Sequence, residues 1–144
     1  MKAINKFFMN TATGLAKLSK CVSFQVGAVI VRDERIISMG YNGSPKGYLN
    51  CCDKFNKENF NRKDHHKWSN IYEIHAELNA ILFAAKNGIS LDGCVMYVTF
   101  KPCDQCIKNI IQSGIKKVIY LNEYDKCSLN NDLISETNIT IEKF

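Results

Sequence analysis

Apolar residues at Ile4, Phe7, Phe8, Ala12, Leu15 and Leu18 recur at helical spacing and predict a first helix over residues 2–20. Gly14 weakens that helix locally. Residues 25–31 form a short run rich in β-branched apolar side chains, the pattern of a buried strand. Asp33 and Glu34 make a turn, and residues 35–41 read as a second strand, so the two pair as a hairpin. From residue 42 the pattern breaks. Gly43, Pro45 and Gly47 punctuate the chain, and Asn, Lys and Asp dominate up to residue 70. That predicts a loop, and a loop so long is rare in a compact domain unless it is functional or pinned. Ala76, Leu78, Ala80, Ile81, Leu82, Ala84 and Ala85 then predict a helix over 72–87, apolar over much of its surface and so expected to be buried, closed by Asn87-Gly88. A strand over 95–100, a helix over 104–113 stopped by Gly114, a strand over 117–121, a weak helix over 128–136 and a strand over 139–143 complete the chain. Strands alternating with helices in the second half imply parallel pairing. A hairpin in the first half then makes the sheet mixed, with helices on both faces.

The 144 residues suit one domain, 1–144, and 46% hydrophobic with 23% charged residues is a globular balance. No apolar run approaches the roughly 18 residues that cross a bilayer. Asn5, Lys6 and Asn10 interrupt the start of the chain, which argues against a signal peptide. The expectation is a cytoplasmic protein, in the host cytoplasm if the source is viral. The net charge of +5 suits a phosphate-bearing partner, but the lysines are scattered and form no nucleic-acid track. Seven cysteines, an odd number without an export signal, point away from a disulfide framework and towards metal ligation. Cys94 lies in an apolar run and reads as a small buried hydrophobe, while Cys127 has no evident partner.

The strongest chemical signal is His75-Ala76-Glu77 followed by Pro102-Cys103-Asp104-Gln105-Cys106, the H-x-E…P-C-x-x-C pattern of zinc deaminases. One imidazole and two thiolates supply three ligands to a tetrahedral zinc and leave the fourth position for water. Cys103 and Cys106 open a helix, whose free N–H groups favour thiolate. Glu77 is placed to act as general base and acid, not as a ligand. Zinc lowers the pKa of bound water towards about 7, and the hydroxide attacks C4 of a cytosine, or C6 of an adenine in related enzymes, with loss of ammonia. A structural zinc site is the plainer reading of a C-x-x-C, but such sites use four protein ligands and have no use for a carboxylate placed like Glu77.

With these stretches, residues 21–31, G-Y-N-G-S-P-K-G at 40–47, E-I-H-A-E-L-N-A-I at 73–81, 102–106 and 113–120, the chain resembles the deoxycytidylate (dCMP) deaminases, notably those of large phages such as the T-even group. The resemblance covers most of residues 21–125. It implies the cytidine deaminase fold, a three-layer α/β sandwich with a mixed five-stranded sheet between helices, and hydrolysis of dCMP to dUMP. It implies a homohexamer activated by dCTP with a divalent cation such as Mg2+ and inhibited by dTTP. By the same resemblance Asn42 holds the sugar, Ala76 offers backbone groups to the base, and Tyr124 lies near the substrate phosphate. The loop Gly40, Tyr41, Asn42 and Gly43 belongs to an effector site as well. Phage relatives carry a second, structural zinc, and Cys21, Cys51 or Cys52, and His65 match its ligand positions. His65 fits better than His66 because H-x-x-W-S at 65–69 keeps the spacing to His75. Such a metal would pin the segment 42–70 to the core. The segment between Cys52 and His65 is shorter than in some phage members. The rival readings are a deaminase of dCTP, of free cytidine or a riboflavin precursor, a nucleic-acid cytosine or adenosine deaminase, and a zinc-stabilised binding module.

Overall fold

The computed structural model describes residues 2–124 and 131–144. Helix α1 (Ala3–Ala16) leads into β1 (Gly27–Arg32) and β2 (Arg35–Tyr41). Two helices follow, α2 (Cys51–Lys54) and α3 (Arg62–Tyr72), then α4 (Ala76–Lys86), β3 (Val95–Phe100), α5 (Asp104–Gln112), β4 (Lys117–Asn122), α6 (Asn131–Ser135) and β5 (Thr140–Lys143). The sheet order is β2-β1-β3-β4-β5. β1 runs antiparallel to both β2 and β3, while β3, β4 and β5 are parallel, so the mixed sheet expected from the pattern forms.

Period-2 burial explains the layers. Ala28, Ile30, Met96, Val98, Val118 and Tyr120 face one core with Ala76, Ala80, Ala84, Ile107 and Ile110 of α4 and α5. Val29, Val31, Tyr97 and Ile119 face the other, against Phe8, Met9 and Ala12 of α1. Cys94 is fully buried in the first core, as its apolar neighbours suggest. The Asp33-Glu34 turn takes positive φ at both residues (50° and 58°), the two-residue geometry whose twist matches a hairpin.

Gly27 lies where α1 meets β1. A Cβ there would collide with the Ala12 carbonyl oxygen and lie 2.7 Å from the Ala16 nitrogen, both helix backbone that cannot turn aside. Gly27→Ala is therefore expected to destabilise the fold by about 2–3 kcal/mol, read as a lower urea midpoint at unchanged m-value.

Four local expectations are corrected. The first helix ends at Ala16, not residue 20, because Leu18 is 56% exposed and belongs to no core stripe. The segment 42–70 is not all loop: α2 and most of α3 lie in it. α3 is polar enough to hide its helical period, and its start is capped by the Asn61 side chain, which accepts from the backbone N–H groups of Lys63 and Asp64. The helix expected from residue 72 begins at Ala76, since Tyr72 ends α3 and Ile74 pairs in both directions with Gly43. That helix is also not wholly buried. Its stripe of Ala76, Ala80 and Ala84 meets the sheet, while Leu82 and Phe83 are about half exposed. Of the helix expected over 128–136, residues 128–130 lie outside the described residues, as does Cys127.

Candidate active site

Two helix N-termini meet beyond the carboxyl end of β3. β3 delivers the chain through Lys101 and Pro102 to Cys103, the N-cap of α5. Opposite, His75 is the N-cap of α4, with extended backbone (φ −66°, ψ 152°). This resolves a geometric difficulty in the sequence. Residues two apart on a helix diverge by about 200°, but His75 stands outside the helix, so its ring and the Glu77 side chain can address one volume. His75 Nδ1 lies 3.3 Å from Cys106 Sγ and 3.6 Å from Cys103 Sγ. The ligand atoms of all three residues fall within 4.8 Å of one another. One imidazole nitrogen and two sulfurs, close-set at paired helix N-termini, are donors that fit zinc.

Electrostatics separate the two thiols. A hydrogen bond from Cys106 and another interaction with His75 pull the Cys103 thiol down to about 4, against the burial that opposes ionisation. Cys106 is pushed up by that same bond to Cys103 and by burial. His75 is raised, first by its hydrogen bond with Cys103. Glu77 is only 4% exposed, and burial raises its carboxyl, with the Cys106 hydrogen bond opposing. A carboxyl shifted upwards in this way suits a group that must both take and give a proton.

A cavity of 610 Å³ opens over this cluster. His75, Ala76, Glu77, Cys103, Asn42 and Tyr124 all line it, so the expected catalytic and substrate residues come together, with Cys106 buried behind them. Asn42 is more than a surface turn residue. Its Oδ1 accepts from Val26 N–H and its Nδ2 donates to Phe24 O, both at 2.8 Å, which ties the end of β2 to the entry of β1. Each amide end keeps one further bond to offer. Asn42→Ala would orphan the buried Val26 N–H and is expected to cost about 1–3 kcal/mol in equilibrium unfolding, besides any effect on substrate. Tyr124 stacks on Phe100 (centroids 4.6 Å, 18°) and meets Phe24 edge-on at 5.1 Å.

A second cavity of 660 Å³ lies on the far side of Asn42, which lines both. Gly40, Tyr41 and Gly43 line it with Lys20, Lys46 and Lys86.

Between the cavities lies a second cluster. Cys21, Cys51, His65 and Glu73 bring their ligand atoms within 4.8 Å of one another. Cys21 Sγ lies 3.6 Å from His65 Nε2 and donates to Glu73 Oε1 at 3.3 Å, and His65 Nε2 is 3.4 Å from that same oxygen. Of the two adjacent cysteines, the structure places Cys51 here. Cys52 is exposed, because successive residues of a helix point about 100° apart and Cys51 takes the inward position at the start of α2. His66 is likewise exposed and pairs with Asn70. Glu73 is a member the sequence reading missed. It looked like a polar residue entering the H-A-E helix, and only its return beside His65 at the end of α3 gives it a ligand position. Its second oxygen, Oε2, is buried without a hydrogen-bond partner among the described residues. Burial pushes the Cys51 thiol up to about 12 and raises Cys21 too. Phe55, Phe60 and Trp68 jacket the group, with Phe55 and Phe60 edge-on to the His65 ring. Two thiols, an imidazole and an orphaned carboxylate oxygen in an apolar shell are a costly combination unless a cation binds them, so this set also fits a metal.

Residues 2–122 match the model of the cytidine and deoxycytidylate deaminase zinc-binding region. The chain is similar to the deoxycytidylate deaminase of Enterobacteria phage T4, at 47% identity over 139 residues, covering 75% of this chain and 72% of that one. The Homo sapiens deoxycytidylate deaminase is 38% identical over 144 residues, covering 96% and 78%. Among solved structures, dCMP deaminase from the cyanophage S-TIM5 in complex with dCMP and dUMP superposes with TM-score 0.81 at 34% identity, over 100% of this chain and 99% of that one. A tRNA:A34 deaminase structure (TM-score 0.66, 21% identity) shares the fold.

Proposed function

The chain belongs to the cytidine and deoxycytidylate deaminase zinc-binding family, and on that premise we propose that it hydrolyses dCMP to dUMP and ammonia. The observation that carries this reading is the convergence of His75, Cys103 and Cys106 with a buried Glu77 at the floor of a nucleotide-sized cavity. Three protein ligands leave room for water, and the adjacent carboxyl does work that a structural site would not need.

Zinc held by His75, Cys103 and Cys106 would supply Lewis-acid activation of a water molecule. Glu77 takes the proton of the attacking water. It passes that proton to the ring nitrogen, then takes the second water proton from the hydroxyl now on C4 and gives it to the departing amine as the C4–N bond breaks, so that one water enters and one ammonia leaves. Val26 and Ala76 line the cavity wall, and Ala76 offers the base backbone groups. Asn42, held rigid by its two backbone bonds, presents its remaining donor and acceptor to the deoxyribose. Tyr124, set by Phe24 and Phe100, closes the phosphate end.

A second zinc at Cys21, Cys51, His65 and Glu73 has a structural role in this reading, since it joins the entry to β1, α2 and both ends of α3. The cavity at Gly40, Tyr41, Asn42 and Gly43, with three lysines in its wall, suits a triphosphate effector with Mg2+, dCTP as activator and dTTP as inhibitor. Exposed Met39, Tyr41, Ile71, Leu82 and Phe83 support burial against further copies of the chain in a homo-oligomer such as a hexamer.

The test is ammonia release from dCMP by zinc-loaded protein, set against dCTP, deoxycytidine and a cytosine-containing oligonucleotide, with and without dCTP and Mg2+. Preferred turnover of dCMP supports the reading. Preference for dCTP or for the oligonucleotide would replace it.

A further inference from the structure

Helix α3 carries two faces with different tasks. His65 turns into the second cluster and Trp68 into its jacket, whereas Arg62, His66, Ser69, Asn70 and, at the cap, Glu73 follow one another at helical spacing along the wall of the catalytic cavity. The wall therefore comes from an element that the sequence pattern did not reveal.

The charge on this wall is one-sided. Arg62, Lys63 and Lys101 line the cavity. Of the acids in its lining, Glu73 is drawn into the second cluster and Glu77 is buried beside Cys106. Among the described residues Arg62 has no carboxylate within 4.0 Å. It is nevertheless positioned. Its guanidinium stacks over the Phe60 ring at 5.4 Å from the centroid, and Nη1 donates to Ser23 Oγ at 3.5 Å. Phe60 in turn packs on His65, so the stack is tied to the second cluster. Ser23 continues into Phe24, which meets Tyr124. Lys101 is held over the Tyr120 ring at 5.4 Å. A pre-set guanidinium with unused N–H groups, beside a hydroxyl and without a carboxylate, is matched to a dianionic phosphate.

Resting on the substrate reading above, we propose that Arg62, supported by Ser23, is the residue that distinguishes a nucleoside 5′-monophosphate from the free nucleoside. It is a binding and specificity residue and touches none of the reacting atoms. It acts on ligand affinity and not on the chemical step.

The experiment measures binding of dUMP and of deoxyuridine to the zinc-loaded protein by calorimetry, and KM and kcat for dCMP, in wild type, Arg62→Ala and Arg62→Lys. Arg62→Ala is expected to weaken dUMP by about tenfold or more, with a matching rise in KM, a change in kcat below about threefold, and deoxyuridine affinity moved less than about twofold. Arg62→Lys restores part of the loss, since it returns the charge without the fork. Equal weakening of both ligands, or unchanged dUMP affinity and KM in a wild type that turns dCMP over, overturns the assignment alone. A wild type that neither binds dUMP nor deaminates dCMP overturns the substrate reading with it.

Discussion

Replacing Glu77 with glutamine is expected to lower kcat on dCMP by roughly 10³–10⁴-fold while zinc content at the catalytic site stays at the wild-type value. The amide keeps the side-chain volume in a site that is 4% exposed, so packing against Ala76 and Cys106 survives. It cannot accept and return protons, so every proton transfer in the reaction is disabled at once. Stability separates this loss from unfolding. The buried carboxyl is shifted upwards by desolvation, and a neutral amide does not carry that cost, so the unfolding midpoint of the variant should equal or exceed that of wild type. Ammonia release, metal analysis and a denaturation curve on the same sample decide the matter. Activity within tenfold of wild type would remove Glu77 from the mechanism, and loss of zinc would make it a ligand.

The second large effect concerns stability. Cys51→Ala is expected to remove one of two zinc equivalents and to destabilise the fold by about 3 kcal/mol or more, because His65, Glu73 and Cys21 would remain buried without the charge that satisfies them. The adjacent Cys52→Ala should stay within about 0.5 kcal/mol, as that side chain is exposed. The Cys51 loss should appear as melting of the segment from α2 through α3, so amide exchange should rise there first. Equal effects from the two substitutions, or unchanged metal content in Cys51→Ala, would refute the assignment of the cluster. Because α3 also carries Arg62, the Cys51 variant should show a raised KM for dCMP, whereas Glu77→Gln should act on kcat.

Much of this molecule is written locally. The strands over 25–31, 35–41, 95–100 and 117–121 are legible because their alternating or continuous apolar runs face two cores, and β2 and β3 form with the expected bounds. His75, Glu77, Cys103 and Cys106 are legible because ligand chemistry demands those residue types at short spacing near helix starts. The ligand atoms of His75, Cys103 and Cys106 lie within 4.8 Å of one another. The choice of Cys51 over Cys52 was not legible, since it depends on the rotation of a four-residue helix.

By itself the sequence determined the mixed sheet with helices on both faces and the candidate ligands His75, Cys103 and Cys106, since these rest on periodicity or on spacing within about thirty residues. Only the tertiary structure decided α3, Glu73 and Arg62. α3 is a polar helix whose burial comes from a few contacts, His65 and Trp68, so no apolar period announces it. Glu73 joins the second cluster because the chain leaves α3 for the Gly43–Ile74 bridge beside Cys21. Arg62 gains its place from Ser23, 39 residues away in sequence. These are consequences of long-range packing, and a side chain that takes its role from distant neighbours leaves no local pattern to read.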